Sequence, residues 1–408
     1  MSEKLHTAPE SQESELRYSH AETDYDTIRA VELQEIIDNP ENVGFNFTNQ
    51  HIVSPAIKSA LSEVGERIES TKDDPIELAK LANELGLGST QELLSRYENA
   101  RQVEDAKIEN MASMMDQIPD GASFRVHPFA PQSPFSLEHF RPGAESGEPS
   151  LDEDAIAQIA AMYEKSRSGD NPGELSVVLN SYTEERGGNT PESPEEIQAY
   201  ADMCISFLEQ LGLRETDGAG LCIELGNETN VDRHTQNFDG SLMFDKVDFA
   251  DHADPIKYAH MYAKVASAIK ARFPNVEVAI AGTAMFDEGY LNAVITEVLA
   301  ESGGNKGLID KISFHPYRTT LEEGATTFVD GKRISSDLNY DEQLDRMAAL
   351  AAITDARFDV GEVSFSNEHG VSVDTIELHK NSAHAREHGL KSYTWPEDEI
   401  LTYENPNN

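Results

Sequence analysis

Short runs rich in β-branched and aromatic residues alternate with amphipathic stretches along most of the chain. The runs fall at residues 43–49, 123–129, 175–182, 220–227, 276–284, 311–317, 358–366 and 391–395. Several are apolar along most of their length, the pattern of parallel strands covered on both faces. The stretches between them carry helix signals. Ser193-Pro194-Glu195-Glu196 offers an N-cap serine, a proline at the first helical position and a capping-box glutamate. Ile197, Tyr200, Cys204, Phe207, Leu208 and Leu211 then share one helical face. Asp254-Pro255 opens a second helix in the same way, with Ile256, Ala259, Tyr262, Ala263, Ala266 and Ile269 as its expected buried stripe. A third runs after Gly289 through Leu291, Val294, Ile295 and Val298.

Strand–helix alternation repeated eight times predicts an α/β fold, a (β/α)8 TIM barrel. Residues 52–117, between the first two strands, are long and mostly helical in pattern, and are expected to form a helical insertion on the rim. Residues 1–38 are polar and acidic and are expected to be an N-terminal extension, with residues 39–408 forming one barrel domain.

Composition narrows the function classes. The 408 residues hold 32 Lys+Arg against 75 Asp+Glu, a formal charge of −43, so attraction to nucleic acid or to an anionic membrane face is opposed. The same excess suits a salt-adapted surface. With 38% hydrophobic residues and clear periodicity, the chain is not of the disordered class. No run approaches the roughly 18 apolar residues of a membrane span. The opening residues lack a charged-then-apolar leader, so a cytoplasmic protein is expected. Cys204 and Cys222 stand at no metal or redox spacing and read as free thiols.

In such a barrel, functional side chains come from the C-terminal ends of the strands. The fourth run ends Glu224-Leu225-Gly226-Asn227-Glu228-Thr229-Asn230, and the seventh contains Gly361-Glu362-Val363-Ser364. Three steps apart on an eight-strand ring, these ends face each other across the mouth. Two carboxylates there could flank one bond, the arrangement that glycoside cleavage uses: one protonates the departing oxygen and the other attacks the anomeric carbon. A neighbouring arginine would keep one carboxylate ionised, and Arg125 on the second run is the candidate.

The segment IELGNETN resembles the W-E-L/I-G-N-E-P-N signature of the clan A retaining glycoside hydrolases. An arginine on strand two, SFHPY on strand six, GEVS on strand seven and a tryptophan ending strand eight follow in that clan's order, over roughly residues 40–400. The GNE-x-N and GE-x-S elements are similar to heparanase-like β-glucuronidases, and SFHPY to the β-xylosidase and iduronidase group. Thr229 stands where the clan usually has proline, Ile223 where it often has tryptophan, and Gly361 where threonine is frequent. The resemblance implies that Glu228 is the acid/base and Glu362 the nucleophile. It implies further that Asn227 binds the sugar 2-hydroxyl, Arg125 and Tyr317 hold the nucleophile, His315 lines the pocket, and Trp395 lies under the first sugar ring. A glycoside or oligosaccharide substrate and no cofactor follow from it.

Bland readings stand beside these. Most glutamates in so acidic a chain are solvated, although Glu362 lies within an apolar run, where an unpaired charge is costly. Glu224 reads as the ion-pair partner of a neighbouring element. Asn227 also suits a turn, Arg125 a barrel ion pair, and Trp395 a core. His127, at the end of the second strand, is a further candidate for the pocket, expected to bind substrate. A metal-dependent barrel hydrolase would want paired histidines near the first strand; residues 43–49 have none, and neither H-x-H nor H-E-x-x-H occurs. No nucleotide-binding glycine motif is present. The non-enzyme alternative is a barrel that keeps a sugar cleft for binding or scaffolding.

Overall fold

Alternation along each strand sorts its residues between two surroundings, and that sorting places the site. The computed structural model describes residues 43–361 apart from 48–54, 73, 86, 119, 129–132, 138–139, 141–150, 184, 237–241, 243–249, 251, 317–325, 330–331 and 336–337, together with residues 390 and 392–394. In chain order the elements are β1 (Val43–Phe47), α1 (Pro55–Thr71), α2 (Pro75–Glu84), α3 (Thr90–Gln117), β2 (Ser123–Val126), α4 (Glu153–Arg167), β3 (Leu175–Leu179), α5 (Pro194–Gln210) and β4 (Leu221–Leu225). There follow α6 (Pro255–Arg272), β5 (Glu277–Ile280), β6 (Thr283–Ala284), α7 (Glu288–Glu301), β7 (Lys311–His315), β8 (Thr326–Val329), β9 (Lys332–Ser335), α8 (Tyr340–Thr354), β10 (Arg357–Val360) and β11 (Ser392–Thr394).

The pairing is parallel and runs β1–β2–β3–β4–β5–β7–β10–β11 and back to β1, a closed ring of eight strands. This is the expected (β/α)8 barrel, and all eight predicted strands belong to it. The predicted run at 276–284 breaks in two, because the chain leaves β5 at Ala281-Gly282 and rejoins β7 through the two residues of β6. The antiparallel hairpin β8–β9 was not foreseen.

The strands are not apolar on both faces. Phe124, Val126, Leu175, Val177, Leu179, Leu221, Ile223, Leu225, Val278, Ile280, Ile312, Phe314, Phe358 and Val360 occupy one phase and join the main hydrophobic core with the helices. The opposite phase carries Arg125, Ser176, Glu224, Lys311, Ser313, His315 and Asp359, all buried. Lys311 on β7 bonds Ser176 on β3, a contact that only the barrel interior allows. The lumen is therefore polar and the outer layer apolar.

The helices start as their sequences dictate. Ser193 caps α5 with the full capping box, its backbone and hydroxyl holding the Glu196 carboxyl at about 2. Asp254 caps α6. Ile256 departs from expectation: it sits in the first turn of α6 and is 49% exposed, ahead of where that helix meets the sheet. Tyrosines on these helices pin the strand ends. Tyr200 donates to the Leu179 carbonyl, and Tyr258 donates to the Leu225 carbonyl while accepting from the Ala281 amide. Between β1 and β2, α1 to α3 pack around a small separate core of Leu78, Leu81, Ala82 and Leu93. Among the described residues no helix is long and apolar enough to cross a membrane.

Candidate active site

At the C-terminal end of β4 the chain turns through Gly226, Asn227 and Glu228. Gly226 takes φ +92°, and Glu228, a residue with a side chain, takes φ +48°. A left-handed backbone costs a non-glycine residue on the order of 1 kcal/mol or more, and it persists only where surroundings over-determine it. Those surroundings are visible. The Glu228 amide donates to the Gly282 carbonyl at 2.8 Å, and Val231 closes the turn by donating to the Glu228 carbonyl. Asn230 donates to the Ala284 carbonyl and to Asp287, and its side-chain oxygen accepts from the Ala284 amide. Thr229 accepts from the Tyr290 hydroxyl at 3.1 Å. The whole turn is thus fastened to β6 and to the start of α7. Burial pushes the Asp287 carboxyl above its ordinary range, opposed by its bonds from the Tyr290 amide and Asn230.

The carboxylate of Glu228 is fixed by a second device. Its Oε1 lies 2.9 Å from Nδ1 of His315, the last residue of β7. His315 is fully buried and Glu228 is 15% exposed, so the glutamate presents the open end of the pair. The imidazole packs where glycines leave room. A Cβ added at Gly282 would lie 2.4 Å from His315 Nε2, and one at Gly361 2.9 Å from it. Met285, which follows β6, also takes a left-handed backbone, φ +55°, and donates its amide to the His315 carbonyl. Of the three non-glycine residues with positive φ among those described, two therefore meet at this point; the third, Asp355, caps α8.

Below Glu228 lies an ionic lattice. Arg125 on β2 is completely buried and grips Glu224 with Nε at 3.0 and 3.1 Å and Nη2 at 2.9 Å. The same Nη2 donates to Asn227 Oδ1 at 2.8 Å. Ser176 donates to Glu224 at 2.7 Å and accepts from Lys311 Nζ at 3.0 Å. Lys311 faces Glu174 and Asp359 at 3.5 and 3.8 Å. Burial alone would raise the Glu224 carboxyl, but Arg125 and Lys311 hold it down at about 2. Burial opposes the charge on Lys311, and the surrounding acids keep it protonated. Glu224 is thus an ion-pair partner, as its sequence position suggested. In the described residues Arg125 serves Glu224 and Asn227.

No protein-family model matches the chain, and no curated protein matches it. Solved structures do. The chain is similar to the β-glycosidase from the hyperthermophile Thermosphaera aggregans, at 12% identity over 87% of each chain, with a TM-score of 0.44. It is also similar to an endo-1,4-β-mannanase from Eisenia fetida (17% identity, 70% of this chain and 77% of that one, TM-score 0.40). The β-glycosidase BGL167 is a third (15%, 71% and 74%, 0.41).

Of the residues singled out in the sequence, the structure brings together Arg125, Asn227, Glu228 and His315. His127 is buried directly after β2. Glu362, Tyr317 and Trp395 lie outside the described residues. The sequence reading passed over Ser176, Lys311, Asn230, Gly282, Asp287 and Tyr290. A signal for the first two was present: each is a polar residue in an otherwise apolar strand, in the same alternate phase as Arg125 or Glu224. Cys204 and Cys222 are buried free thiols, pushed up by burial out of the reactive range. Among the described residues no group of His, Cys, Asp and Glu is arranged to hold a metal.

Proposed function

We propose that this chain hydrolyses a glycosidic bond with retention, with Glu228 as acid/base and Glu362 as nucleophile. The observation that carries the reading is Glu228 itself. A strained backbone holds it at the C-terminal mouth of β4, its carboxyl clamped by a buried histidine and its side chain 15% exposed. Position at the end of a barrel strand, stored strain and an aimed carboxyl together are what general acid/base catalysis asks of a residue.

The His315 contact serves both protonation states that the cycle requires. With Nδ1–H of His315 donating to Oε1 in both states, the acid proton of a neutral Glu228 sits on its second oxygen, where a leaving oxygen can receive it. In the first half-reaction Glu228 gives its proton to the leaving oxygen while Glu362 attacks the anomeric carbon. In the second, Glu228 takes a proton from water as that water displaces Glu362. Asn227, its side-chain oxygen engaged by Arg125, offers its NH2 to the sugar 2-hydroxyl. Tyr317 and Trp395 complete the pocket in this reading, the first beside the nucleophile and the second beneath the sugar ring. The substrate class is a glycoside or small oligosaccharide.

The test is an aryl-glycoside panel (xyloside, glucoside, galactoside, arabinofuranoside, glucuronide) on wild type, Glu228→Ala and Glu362→Ala, at low and high salt. Hydrolysis of one sugar that vanishes in Glu362→Ala and is rescued by azide in Glu228→Ala is the expected result. No hydrolysis, with sugar binding still measured by calorimetry, would replace this reading by the binding-barrel alternative.

A further inference from the structure

We infer that Lys311, Ser176 and Glu224 are positioning residues that set the side-chain orientation of Asn227 from within the barrel. The inference rests on the reading of the site given above and extends it one layer down, to residues that never meet a substrate.

The chain of contacts has a fixed polarity at every link. Lys311 is buried and can only donate, so the Ser176 oxygen must accept from it at 3.0 Å. The single Ser176 hydrogen is then left for Glu224 Oε1, at 2.7 Å. That bond fixes the plane of a carboxylate that is 1% exposed. The carboxylate in turn receives Nε and Nη2 of Arg125, whose fork is rigid. With the guanidinium plane set, Nη2 reaches Asn227 at 2.8 Å, and since it can only donate, Asn227 must present its oxygen. The amide nitrogen is thereby turned away from the guanidinium. An amide whose two ends differ little in shape is oriented here by a donor, and the donor by a serine hydroxyl on β3 and a lysine on β7.

Burial energetics favour the same conclusion. Ion pairs in a dry interior often contribute less to stability than apolar residues of equal volume. The opposite phase of these same strands shows that the chain supplies such residues readily. A polar lattice in their place gives direction, which an apolar layer cannot.

Ser176→Ala is the discriminating variant, because it removes one hydroxyl and leaves every charge in place. It is compared with wild type on the aryl glycoside that the panel identifies and on its 2-deoxy counterpart. In parallel, the side-chain amide signals of Asn227 are followed by NMR in 15N-asparagine-labelled protein, assigned with Asn227→Ala. The expected result is a loss of about tenfold in kcat/KM on the 2-hydroxy substrate. The 2-deoxy substrate should show little change, and the Asn227 amide pair should shift or double. Equal loss on both substrates, or an amide pair unmoved by Ser176→Ala, would overturn the inference. If wild type hydrolyses nothing, the functional reading fails, and the amide signals alone decide the orientation claim. Glu224→Gln, which reverses one donor in the same chain, should move the amide pair further.

Discussion

Arg125→Met removes the guanidinium that neutralises Glu224 and leaves a carboxylate at 1% exposure with Lys311 3.7 Å away and the Ser176 hydroxyl. A carboxyl held at about 2 against an ordinary 4.5 is linked to about 3 kcal/mol of stability at neutral pH. Breaking a buried pair from one side costs about 3–5 kcal/mol by independent precedent, so the two routes agree. The sign follows from the folded-state value. In the wild type it is depressed, so the contribution is complete above about 4.5 and is lost as pH falls towards about 2. In Arg125→Met the same burial meets less opposing attraction, from Lys311 and Ser176 alone, and the folded-state value should move up. That variant is then penalised as pH rises and relieved as it falls. The gap between wild type and variant should therefore be widest at pH about 7–8 and narrow steadily below about 5.

The assay is urea denaturation of both proteins at a series of pH values and constant salt, read as the difference between them so that the general effect of titrating a very acidic surface cancels. Arg125→Met/Glu224→Gln supplies the control. With no unpaired carboxylate left at position 224, and Lys311 still facing Glu174 and Asp359, it should be more stable than Arg125→Met at neutral pH and close to it in acid. A gap that stays constant across pH, or a double variant no better than the single one, would refute the idea that an unpaired Glu224 is what the substitution exposes.

Three further outcomes can be checked directly. Gly282→Ala puts a Cβ 2.4 Å from His315 Nε2 and 2.8 Å from Ser313 Oγ, and Gly361→Ala puts one 2.9 Å from the same nitrogen; kcat should fall in both, by about a hundredfold in the first and less in the second, with the reverse order counting against a clamped His315. Thr229→Val strands the buried Tyr290 hydroxyl and should cost about 1–2 kcal/mol by denaturation, most of it recovered when Tyr290→Phe is added. With a net charge of −43, the thermal midpoint should climb as salt is raised from about 0.1 M to about 1 M, over which the screening length shrinks from about 10 to about 3 Å; a flat response would mean that the surface charges are already compensated.

The barrel was legible because its strands are short apolar runs separated by capped helices, and capping residues such as Ser193 and Asp254 act locally, within three residues of their own position. Glu228 was legible for a related reason: an apolar strand followed by Gly-Asn-Glu marks a turn at a strand end. The lumen was harder to read. Outer apolar residues such as Val177 and Ile223 make a strand look apolar throughout, and they mask the polar alternation of Ser176 and Glu224 beside them. Pairings such as Lys311 with Ser176 join residues 135 positions apart, and which inward residues meet depends on the stagger of the closed sheet. The His315–Glu228 contact depends likewise on two glycines from different strand ends. Neither Gly282 nor Gly361 carries any sign of that role until His315 is seen packed between them. Thr229 is the converse case. Read as a missing proline, it proves to hold a hydrogen bond to α7 that proline could not accept.

The distribution of charge ties these features together. Basic residues are outnumbered 32 to 75, yet Arg125, Lys311 and Arg357 are drawn into or onto the barrel interior. There they face Glu224, Glu174, Asp359 and Glu277. Among the described residues the buried bases of the barrel are matched by acids, and most of the other acids are exposed. Mobile ions screen exposed charges and hardly reach pairs at 0–1% exposure. Salt therefore acts on one population of carboxylates and not on the other: it governs how much of the chain is folded, while the lattice under Asn227 keeps its geometry. A barrel whose outer phase supplies apolar burial and whose inner phase supplies direction can tolerate a heavily acidic surface, because the groups that aim the site do not share the surface's response to the solvent.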